Sequence, residues 1–268
     1  MRTLITRIAV AVVAIPLLLW VFQQGGWWLQ GLIVVLIVIG TGEAERLLRI
    51  AGKPAEFGTP AVLAVLVAFA VSPMTRFYLH LVAPVVVLIA GLLALGQRRS
   101  ERAWDSAVGT ITIAFWLGLG FGALAALRGQ RADIGFALLL FLFANLWIGD
   151  TAAYLFGKLL GKRRLAESIS PNKTIAGAVA QVLSSAVIGL VFFLFHWLPG
   201  GWMFCVSAAL TIAIVGQAGD LFESCLKRMA GVKDSSAVIP GHGGVLDRFD
   251  STLFAAPSLW VLVRLWGL

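Results

Sequence analysis

The sequence predicts an all-α fold: a polytopic integral membrane protein with about nine transmembrane helices and a cytoplasmic N-terminus. The 268 residues are 60% hydrophobic and only 13% charged, and their mean hydropathy is +0.94. Soluble domains are typically about 25% charged. The apolar residues form runs close to the roughly 20 residues that a helix needs to cross a bilayer. Because no long polar stretch separates these runs, residues 1–268 are expected to form one membrane domain.

Nine apolar runs are candidates for membrane spans. The first has the hydropathy of a signal peptide, but no small-x-small cleavage site precedes Gln23, so it is expected to be retained as a helix. The second and third runs are short for a span. Residues 1–130 carry little motif information, and residues 131–268 are expected to carry the chemistry. In chain order the predicted spans are Leu4–Phe22, Trp27–Thr41, Thr59–Pro73, Phe77–Gly96, Ala107–Leu127, Ile134–Phe156, Thr174–Leu198, Trp202–Leu221 and Phe249–Trp266.

The distribution of lysine and arginine predicts the orientation of these spans, because both residues favour the cytoplasmic side of a membrane. With the N-terminus inside, the inner segments hold 17 of the 21 lysines and arginines. The outer loops hold only Arg76, Arg128 and Arg131. This orientation places the polar loops Gly157–Lys173 and Cys225–Arg248 in the cytoplasm, and the expected location is the inner membrane of a bacterium.

The net charge of +8 is attributed to these cytoplasmic loops and to contact with anionic phosphate groups. No nucleic-acid partner is expected. The two cysteines, Cys205 and Cys225, lack metal-ligand spacing and are not expected to form a disulfide. The sequence does not fix the oligomeric state, and a homodimer is left open.

The densest set of reactive side chains lies between Gly219 and Ser251. Asp220 closes the eighth apolar run. Asp247 and Asp250 open the ninth, where their i, i+3 spacing puts them on one helical face. Carboxylates at span ends are costly unless they are paired or bind a cation. They could converge on a hard cation such as Mg²⁺, which favours one or two carboxylates together with substrate phosphates.

Basic and glycine residues accompany these carboxylates. Asp220, Ser224 and Lys227 recur at i, i+4 and i+7, which is one stripe of a helix. The turn at residues 242–244 is His-Gly-Gly, and glycine lets backbone N–H groups approach an anion closely. The basic members of the stretch could contact several phosphates at once: Lys227, Arg228, Lys233 and Arg248.

A second polar set follows within Gly149–Thr174. Asp150 lies inside an apolar run, and a turn at residues 170–174 precedes the seventh run. Ser170 and Thr174 are expected to cap the following helix. The free N–H groups of that helix could then bind a phosphate, with Lys173 adding charge.

Simpler interpretations apply to several of these features. A basic loop such as Lys158–Arg164 follows from cytoplasmic sorting alone. Asp150 could serve helix packing or capping, and Glu43 and Glu45 are expected to lie in a solvated loop. Topology does not require three carboxylates, four basic residues and a glycine-rich turn in one short stretch. That coincidence favours metal-assisted phosphoryl or nucleotidyl transfer.

The stretch Ser224–Asp250 resembles the signature of the phosphatidate cytidylyltransferase (CDP-diacylglycerol synthase) family. It reads S-x-L-K-R-x-x-x-x-K-D-x-S-x-x-I-P-x-H-G-G-V-x-D-R-F-D. The upstream G-D-x-x-E-S is also similar, as are G-D-T-x-A-Y, G-K and S-P-x-K-T in the second polar set. These motifs cover Gly149–Ser251. The chain departs from the family pattern S-P-K-K-T-x-E-G at Asn172 and Ala176.

The resemblance implies that CTP and phosphatidic acid are the substrates, in phospholipid biosynthesis. The lipid phosphate would attack the α-phosphorus of CTP, giving CDP-diacylglycerol and pyrophosphate. Asp220 and Asp247 would hold Mg²⁺ or another divalent cation, with Asp250 close by. The acyl chains would stay in the bilayer. The remaining implied residues are the catalytic Lys227, Arg228, Lys233, His242 and Arg248, and the substrate-binding Ser170, Lys173, Ser224, Gly243 and Gly244.

Two alternatives remain open. A CTP-dependent polyprenol kinase would use a similar nucleotide site with a lipid alcohol, and it would need a base near the metal, for which His242 is the candidate. A transporter would use Asp150 and Asp220 as an ion path, although the paired broken helices of many transporters are not apparent in the sequence.

Overall fold

The computed structural model describes residues 2–53, 58–75, 78–96, 100–130 and 133–268, with backbone alone for residues 2–9 and 11. Within these ranges each helix overlaps one predicted run, which confirms the all-α prediction. Phe77, Arg76, Arg98, Arg99 and Arg131, which the span and charge predictions use, lie outside the described residues. The elements are α1 Arg2–Gln24, α2 Gly26–Ile50, α3 Thr59–Val71, α4 Leu79–Ala94, α5 Ser100–Arg128, α6 Gly135–Leu160, β1 Arg164–Ala166, β2 Ser170–Thr174, α7 Ile175–Leu194, α8 Gly201–Met229 and α9 Leu246–Leu265.

In the described part of the chain, four helices are long and apolar enough to cross a membrane by length and composition: α5, α6, α7 and α8. Helices α3 and α4 and the segment Val12–Gln24 are apolar but shorter. These helices indicate a membrane protein. The number of nine spans and the side on which the N-terminus lies stay predictions.

The chain divides into two compact units. The first comprises Met1–Gly129 and Leu226–Phe249, and the second comprises Gln130–Cys225 and Asp250–Leu268. Helices α8 and α9 therefore each contribute residues to both units. The predicted division into residues 1–130 and 131–268 stays a prediction.

Small residues let helices of the first unit approach closely. A Cβ atom added to Gly118 of α5 would lie 2.6 Å from the carbonyl oxygen of Ala64 in α3. One added to Gly122 would lie 2.7 Å from the Cα atom of Ala68. Membrane helices favour such interfaces, because close backbone approach supplies van der Waals packing. The buried core beside them consists of Leu63, Val67, Val86 and Ala114.

The last residue of α5 caps the end of α1. Arg128 donates from Nε to the carbonyl oxygen of Phe22 at 2.6 Å and from Nη2 to that of Gln23 at 2.8 Å. The last carbonyl groups of a helix lack intrahelical partners, and a cation there also interacts favourably with the helix dipole. Arg128, which the topology prediction places in an outer loop, thus fixes one helix end to another.

Glycine contacts also join the helices of the second unit. A Cβ atom on Gly177 of α7 would lie 2.7 Å from the carbonyl oxygen of Ala153 in α6. One on Gly219 of α8 would lie 2.6 Å from the carbonyl oxygen of Asp250 in α9. Backbone therefore packs directly on backbone beside Asp150 and Asp220.

Helix α2 continues beyond the predicted span end, Thr41, to Ile50. After Gly42, residues 43–50 include good helix formers and no glycine, and Gly52 lies beyond the helix end. Glu43 and Glu45 are only 4% and 3% exposed. The prediction that both glutamates lie in a solvated loop is therefore wrong, because the helix carries them into the interior.

The connection between α6 and α7 is an antiparallel hairpin rather than a simple turn. Arg164 pairs with Thr174, and Ala166 pairs with Ser170. The Thr174 side chain accepts a hydrogen bond from the N–H of Gly177 at 3.1 Å, which confirms the predicted cap of α7. The prediction that Ser170 caps this helix is wrong, because strand pairing places Ser170 at the far end of β2.

Candidate active site

Asp247, in the first turn of α9, is the centre of a buried hydrogen-bond cluster in the first unit. Its Oδ1 accepts from the Lys227 ammonium group at 2.7 Å. Its Oδ2 lies 2.9 Å from the amide nitrogen of Ser235, 2.8 Å from Ser235 Oγ and 2.8 Å from the amide nitrogen of Gly244. The side chains of Lys227 and Asp247 are 12% and 3% exposed. Four donor groups therefore surround this one carboxylate.

This environment sets the charge state of Asp247, which lies before the predicted span Phe249–Trp266. Burial by itself raises the pKa of the carboxyl group. Hydrogen bonds from Lys227, Gly244 and Ser235, together with the Lys227 charge, outweigh that effect and lower the pKa below its ordinary value. Asp247 is therefore an anion at neutral pH.

Glu43, which lies in α2, is a second buried carboxylate. It contacts residues 235 and 236 and the start of α9. Its Oε1 accepts from the hydroxyl of Ser236 and from the amide of Val245 at 3.0 Å. Its Oε2 accepts from the amide of Leu246 at 2.8 Å and lies 3.1 Å from Ser235 Oγ. The Ser235 hydroxyl has one proton and stands between two carboxylates, Glu43 and Asp247. Sequence reasoning missed this contact, although the run of helix formers after Gly42 could have indicated that Glu43 belongs to a helix.

The two glycines of the His-Gly-Gly turn are required by the close packing of these carboxylates. Gly243 has φ +83°, and a Cβ atom there would lie 2.7 Å from Asp247 Oδ2. A Cβ atom on Gly244 would collide with Ser235 Oγ and Glu43 Oε1. The amide of Gly244 donates to Asp247. The predicted contact of the Gly243 and Gly244 backbone with phosphate stays a prediction.

Predicted phosphate-binding residues line a cavity of about 610 Å³ in the first unit. Lys233 and Arg248 bring two positive charges to it, and His242 lies between them in sequence. His242 Nδ1 is buried and has no hydrogen-bond partner in the part of the chain that the structure describes. The backbone N–H of His242 donates to the carbonyl oxygen of Ile239 at 2.9 Å, which closes the turn. The structure therefore brings together three of the five residues predicted to be catalytic.

The other two are Lys227 and Arg228, near the end of α8. Lys227 is held by Asp247, as described above. Arg228 donates to the carbonyl oxygen of Val232 at 3.3 Å and is exposed. Neither is among the residues that line the cavity of Lys233, His242 and Arg248.

A smaller cavity of about 360 Å³ lies in the second unit. Lys173 Nζ lies 2.6 Å from Asp220 Oδ2, with side chains 26% and 29% exposed. Asp220 Oδ1 also accepts from the Ser224 hydroxyl at 3.3 Å. Asn172, the first departure from the family pattern, lines the same cavity, whereas Ser170 is not among its lining residues.

Asp150 also lines this smaller cavity, where sequence reasoning treated it as a packing or capping residue. Gln181 Nε2 donates to Asp150 Oδ1 at 3.0 Å, and Gln217 Nε2 donates to the carbonyl oxygen of Ala178 at 3.3 Å. The cavity thus combines two carboxylates, one lysine and the three amide side chains of Asn172, Gln181 and Gln217. The motif G-D-T-x-A-Y is the sequence signal that could have included Asp150.

A divalent cation was predicted to bind Asp220, Asp247 and Asp250. Among the described residues, no group of three or more His, Cys, Asp and Glu side chains is arranged to hold a metal. Asp220 offers hard oxygen atoms at a cavity, which suits Mg²⁺. Asp247 already meets four donor groups. Asp250 accepts from the adjacent N–H of Ser251 at 2.6 Å. The three-carboxylate set stays a prediction.

Known proteins resemble this chain over most of its length. The model of the Cytidylyltransferase family matches residues 5–266. A phosphatidate cytidylyltransferase of Staphylococcus haemolyticus is 30% identical over 96% of this chain and 98% of its own length. Proteins of the same name from Staphylococcus saprophyticus and Brucella suis are 41% and 42% identical, over 59% and 65% of this chain. Those two alignments span 59% and 63% of the relatives' own lengths.

These matches confirm the family that the Ser224–Asp250 signature resembles. The family match includes both cavities and all nine helices of the described chain. The chain belongs to the Cytidylyltransferase family.

Proposed function

We propose that this protein is a phosphatidate cytidylyltransferase, which makes CDP-diacylglycerol and pyrophosphate from CTP and phosphatidic acid. The observation that carries the proposal is the fold of the signature stretch. Its Lys233, His242 and Arg248 line one cavity, although they are spread over sixteen positions of sequence. Cationic groups gathered in this way suit a polyphosphate, because each charge-assisted hydrogen bond to a phosphate oxygen is stronger than a neutral one.

In the proposed reaction, a phosphate oxygen of phosphatidic acid forms a bond to the α-phosphorus of CTP. The bond between that phosphorus and the oxygen bridging to the β-phosphorus breaks, and pyrophosphate leaves with the electron pair. The attacking group is already an anion, so no strong base is needed. Lys233 and Arg248 would stabilise the negative charge that grows on the leaving group, and His242 would donate a hydrogen bond to a phosphate oxygen.

The lysine in the smaller cavity suits an anionic substrate in the same way. Lys173 would contact a phosphate group once Asp220 binds a cation instead of the lysine. A divalent cation, with Mg²⁺ the expected one, would offset the charge where two anions meet. Asp220 would hold it, and Asp247 and Asp250 are the other predicted ligands. The acyl chains of phosphatidic acid would remain in the bilayer.

The proposed setting is the cytoplasmic membrane of a bacterium, with the polar loops on the cytoplasmic side, where CTP is available. The charge distribution of the sequence supports this orientation. The relatives are bacterial. A homodimer stays an open proposal about assembly.

The decisive experiment follows the phosphates of CTP. Purified protein in detergent is given Mg²⁺, phosphatidic acid and CTP labelled at either the α- or the γ-phosphate. We expect α-label in the lipid extract and γ-label in pyrophosphate. Lipid that carries γ-label would contradict the proposal and indicate kinase chemistry. Uptake into vesicles without any turnover of CTP would instead indicate a transporter.

A further inference from the structure

We infer that Glu43 is a positioning residue for the reaction: it holds the loop that carries Lys233 and His242, although it lies in the helix α2 of the N-terminal third. This inference rests on the proposed function for the role of the loop. It names a residue outside Gly149–Ser251, the part of the chain that carries the motifs.

The contacts of Glu43 define this role. Its carboxylate accepts from the amides of Val245 and Leu246, at the start of α9, and from the hydroxyl of Ser236, near the start of the loop. Ser235 Oγ lies within hydrogen-bond distance as well. One side chain therefore holds both ends of the segment 235–246. The negative charge is also favourable at the N-terminus of α9, where helix N–H groups are unpaired.

The contacts require a carboxylate rather than any polar group of the same size. An ionised carboxylate only accepts hydrogen bonds and can take about four of them, which matches the donor groups around Glu43. In a glutamine, one of the two positions becomes an NH₂ donor that faces other donors. Arg46, one turn further along α2, donates to the carbonyl oxygen of Ser235 at 3.2 Å. The same face of α2 therefore contacts the loop through the Glu43 carboxylate and through the Arg46 guanidinium group.

What Glu43 positions is the cavity side of this loop. Ser236, which donates to Glu43, lines the cavity beside Lys233, His242 and Arg248. Gly244 packs so closely on Glu43 that it has no room for a side chain. Glu43 itself does not line that cavity. Its effect on substrate would therefore pass through the position of the loop.

The test compares three variants of the full-length protein in detergent. Glu43→Gln removes the charge and keeps the volume, and Glu43→Asp keeps the charge on a shorter side chain. Glu45→Gln is the matched control: Glu45 is buried on the same helix, but it accepts from the amide of Gly58 at 3.1 Å, and an amide oxygen can replace that acceptor. The measurements are kcat and KM for CTP, hydrogen exchange at individual amides, and thermal unfolding.

For Glu43→Gln we expect a loss in kcat/KM for CTP of about 100-fold, with much of the loss in KM. The amides of Val245 and Leu246 should exchange at least tenfold faster, while amides of α3 and α5 stay protected. Glu43→Asp should recover part of both effects, and Glu45→Gln should stay within about threefold of the unmodified protein.

Three results would overturn the inference. They are a kcat/KM for Glu43→Gln within about threefold of the unmodified protein, faster exchange spread evenly over the whole first unit, or a Glu43→Asp variant no better than Glu43→Gln in exchange and activity. If the Glu43→Gln variant does not fold, the exchange and activity of Glu43→Asp decide the question. Absence of CTP turnover in the unmodified protein would contradict the proposed function, while the exchange data would still test the hold of Glu43 on the loop.

Discussion

Lys227 and Asp247 form a buried ion pair whose Nζ and Oδ1 atoms are 2.7 Å apart. The pair joins the end of α8 to the start of α9, and Asp247 also accepts from Ser235 and Gly244, on either side of His242 in sequence. Breaking such a pair by removing one partner leaves an uncompensated buried charge, which typically costs about 3–5 kcal/mol. The pair is therefore expected to matter for stability, and its predicted role in catalysis can be tested separately.

We expect Asp247→Asn to lower the free energy of unfolding by roughly 3 kcal/mol, because it leaves Lys227 charged and unpaired. It should also abolish lipid transfer. The double variant Lys227→Met with Asp247→Asn should regain much of the stability, since no unpaired lysine charge is left, but should stay inactive. Denaturant unfolding in detergent and the labelled-CTP assay measure the two properties. Recovery of activity in the double variant would contradict a catalytic role for Asp247.

The low pKa of Asp247 makes a prediction about pH. A carboxyl group whose pKa is lower in the folded state adds stability above its unfolded pKa, about 3.9 for aspartate. That contribution is lost as pH falls through the folded value. The stability difference between the unmodified protein and Asp247→Asn should thus be constant between about pH 5 and pH 8 and shrink below about pH 4. A difference that shrinks near neutral pH would show that the Asp247 pKa is not lowered.

Asp220→Asn should abolish turnover while the protein still inserts and folds, because the carboxylate lies at a cavity with Lys173 and is the best-placed predicted metal ligand. We expect a loss well above tenfold, which corresponds to about 1.4 kcal/mol, and a higher Mg²⁺ concentration for half-maximal activity. Ser224→Ala is the comparison variant, because it removes the 3.3 Å hydrogen bond to the same carboxylate together with a predicted substrate contact, and its loss should be smaller. Activity of Asp220→Asn within tenfold of the unmodified protein would exclude a metal-binding role.

Gly244→Ala should destabilise the protein by about 1–3 kcal/mol, as overpacking of a close contact does. The added methyl group would meet Ser235 Oγ and Glu43 Oε1. Gly42→Ala is the control: its Cβ would meet nothing within 4 Å, and alanine in a helix is favoured by up to about 1 kcal/mol. Thermal unfolding of both variants gives the comparison, and equal midpoints would contradict the packing argument.

The two polar loops are predicted to face the cytoplasm. Glu167, at the hairpin turn, and Asp133, before α6, are both exposed and are suitable for single cysteines in a background that lacks Cys205 and Cys225. A membrane-impermeant thiol reagent added to intact cells should label Asp133→Cys and spare Glu167→Cys. The reverse pattern would invert the proposed topology.

Local patterns were enough to predict the helices. Nine apolar runs became nine helices in the described chain, because in lipid the backbone N–H and C=O groups must be satisfied within the chain, which leaves an apolar run few alternatives to a helix. Helices α1, α4 and α9 form even though each contains a proline. The helix ends were less predictable: α2 and α8 continue beyond their apolar runs to Ile50 and Met229. Polar residues with high helix propensity extend these helices, and a prediction of helix ends from hydropathy alone does not include such residues.

The candidate site was predictable where its residues are close in sequence. The signature stretch brought Lys233, His242 and Arg248 to one cavity, and Thr174 caps its helix as expected. The contribution of Glu43 was not predictable, because 192 positions separate it from Ser235 and a short charged segment between apolar runs has the composition of a loop. Long-range pairing of this kind depends on tertiary packing, which residue spacing along the chain does not encode.

The first unit is built from two stretches that lie far apart in the chain, and this separation affects how the protein is synthesised and folded. Glu43 leaves the ribosome with α2, but its partner Leu246 lies 203 positions later. At about 5–20 residues per second, that interval lasts roughly 10–40 seconds. During this time the carboxylate must be satisfied by water or a proton at the membrane surface. A stop codon at any of positions 44 to 235 would leave a chain that contains Glu43 but none of the four donor groups around its carboxylate, and such a fragment would be a ready substrate for membrane proteases.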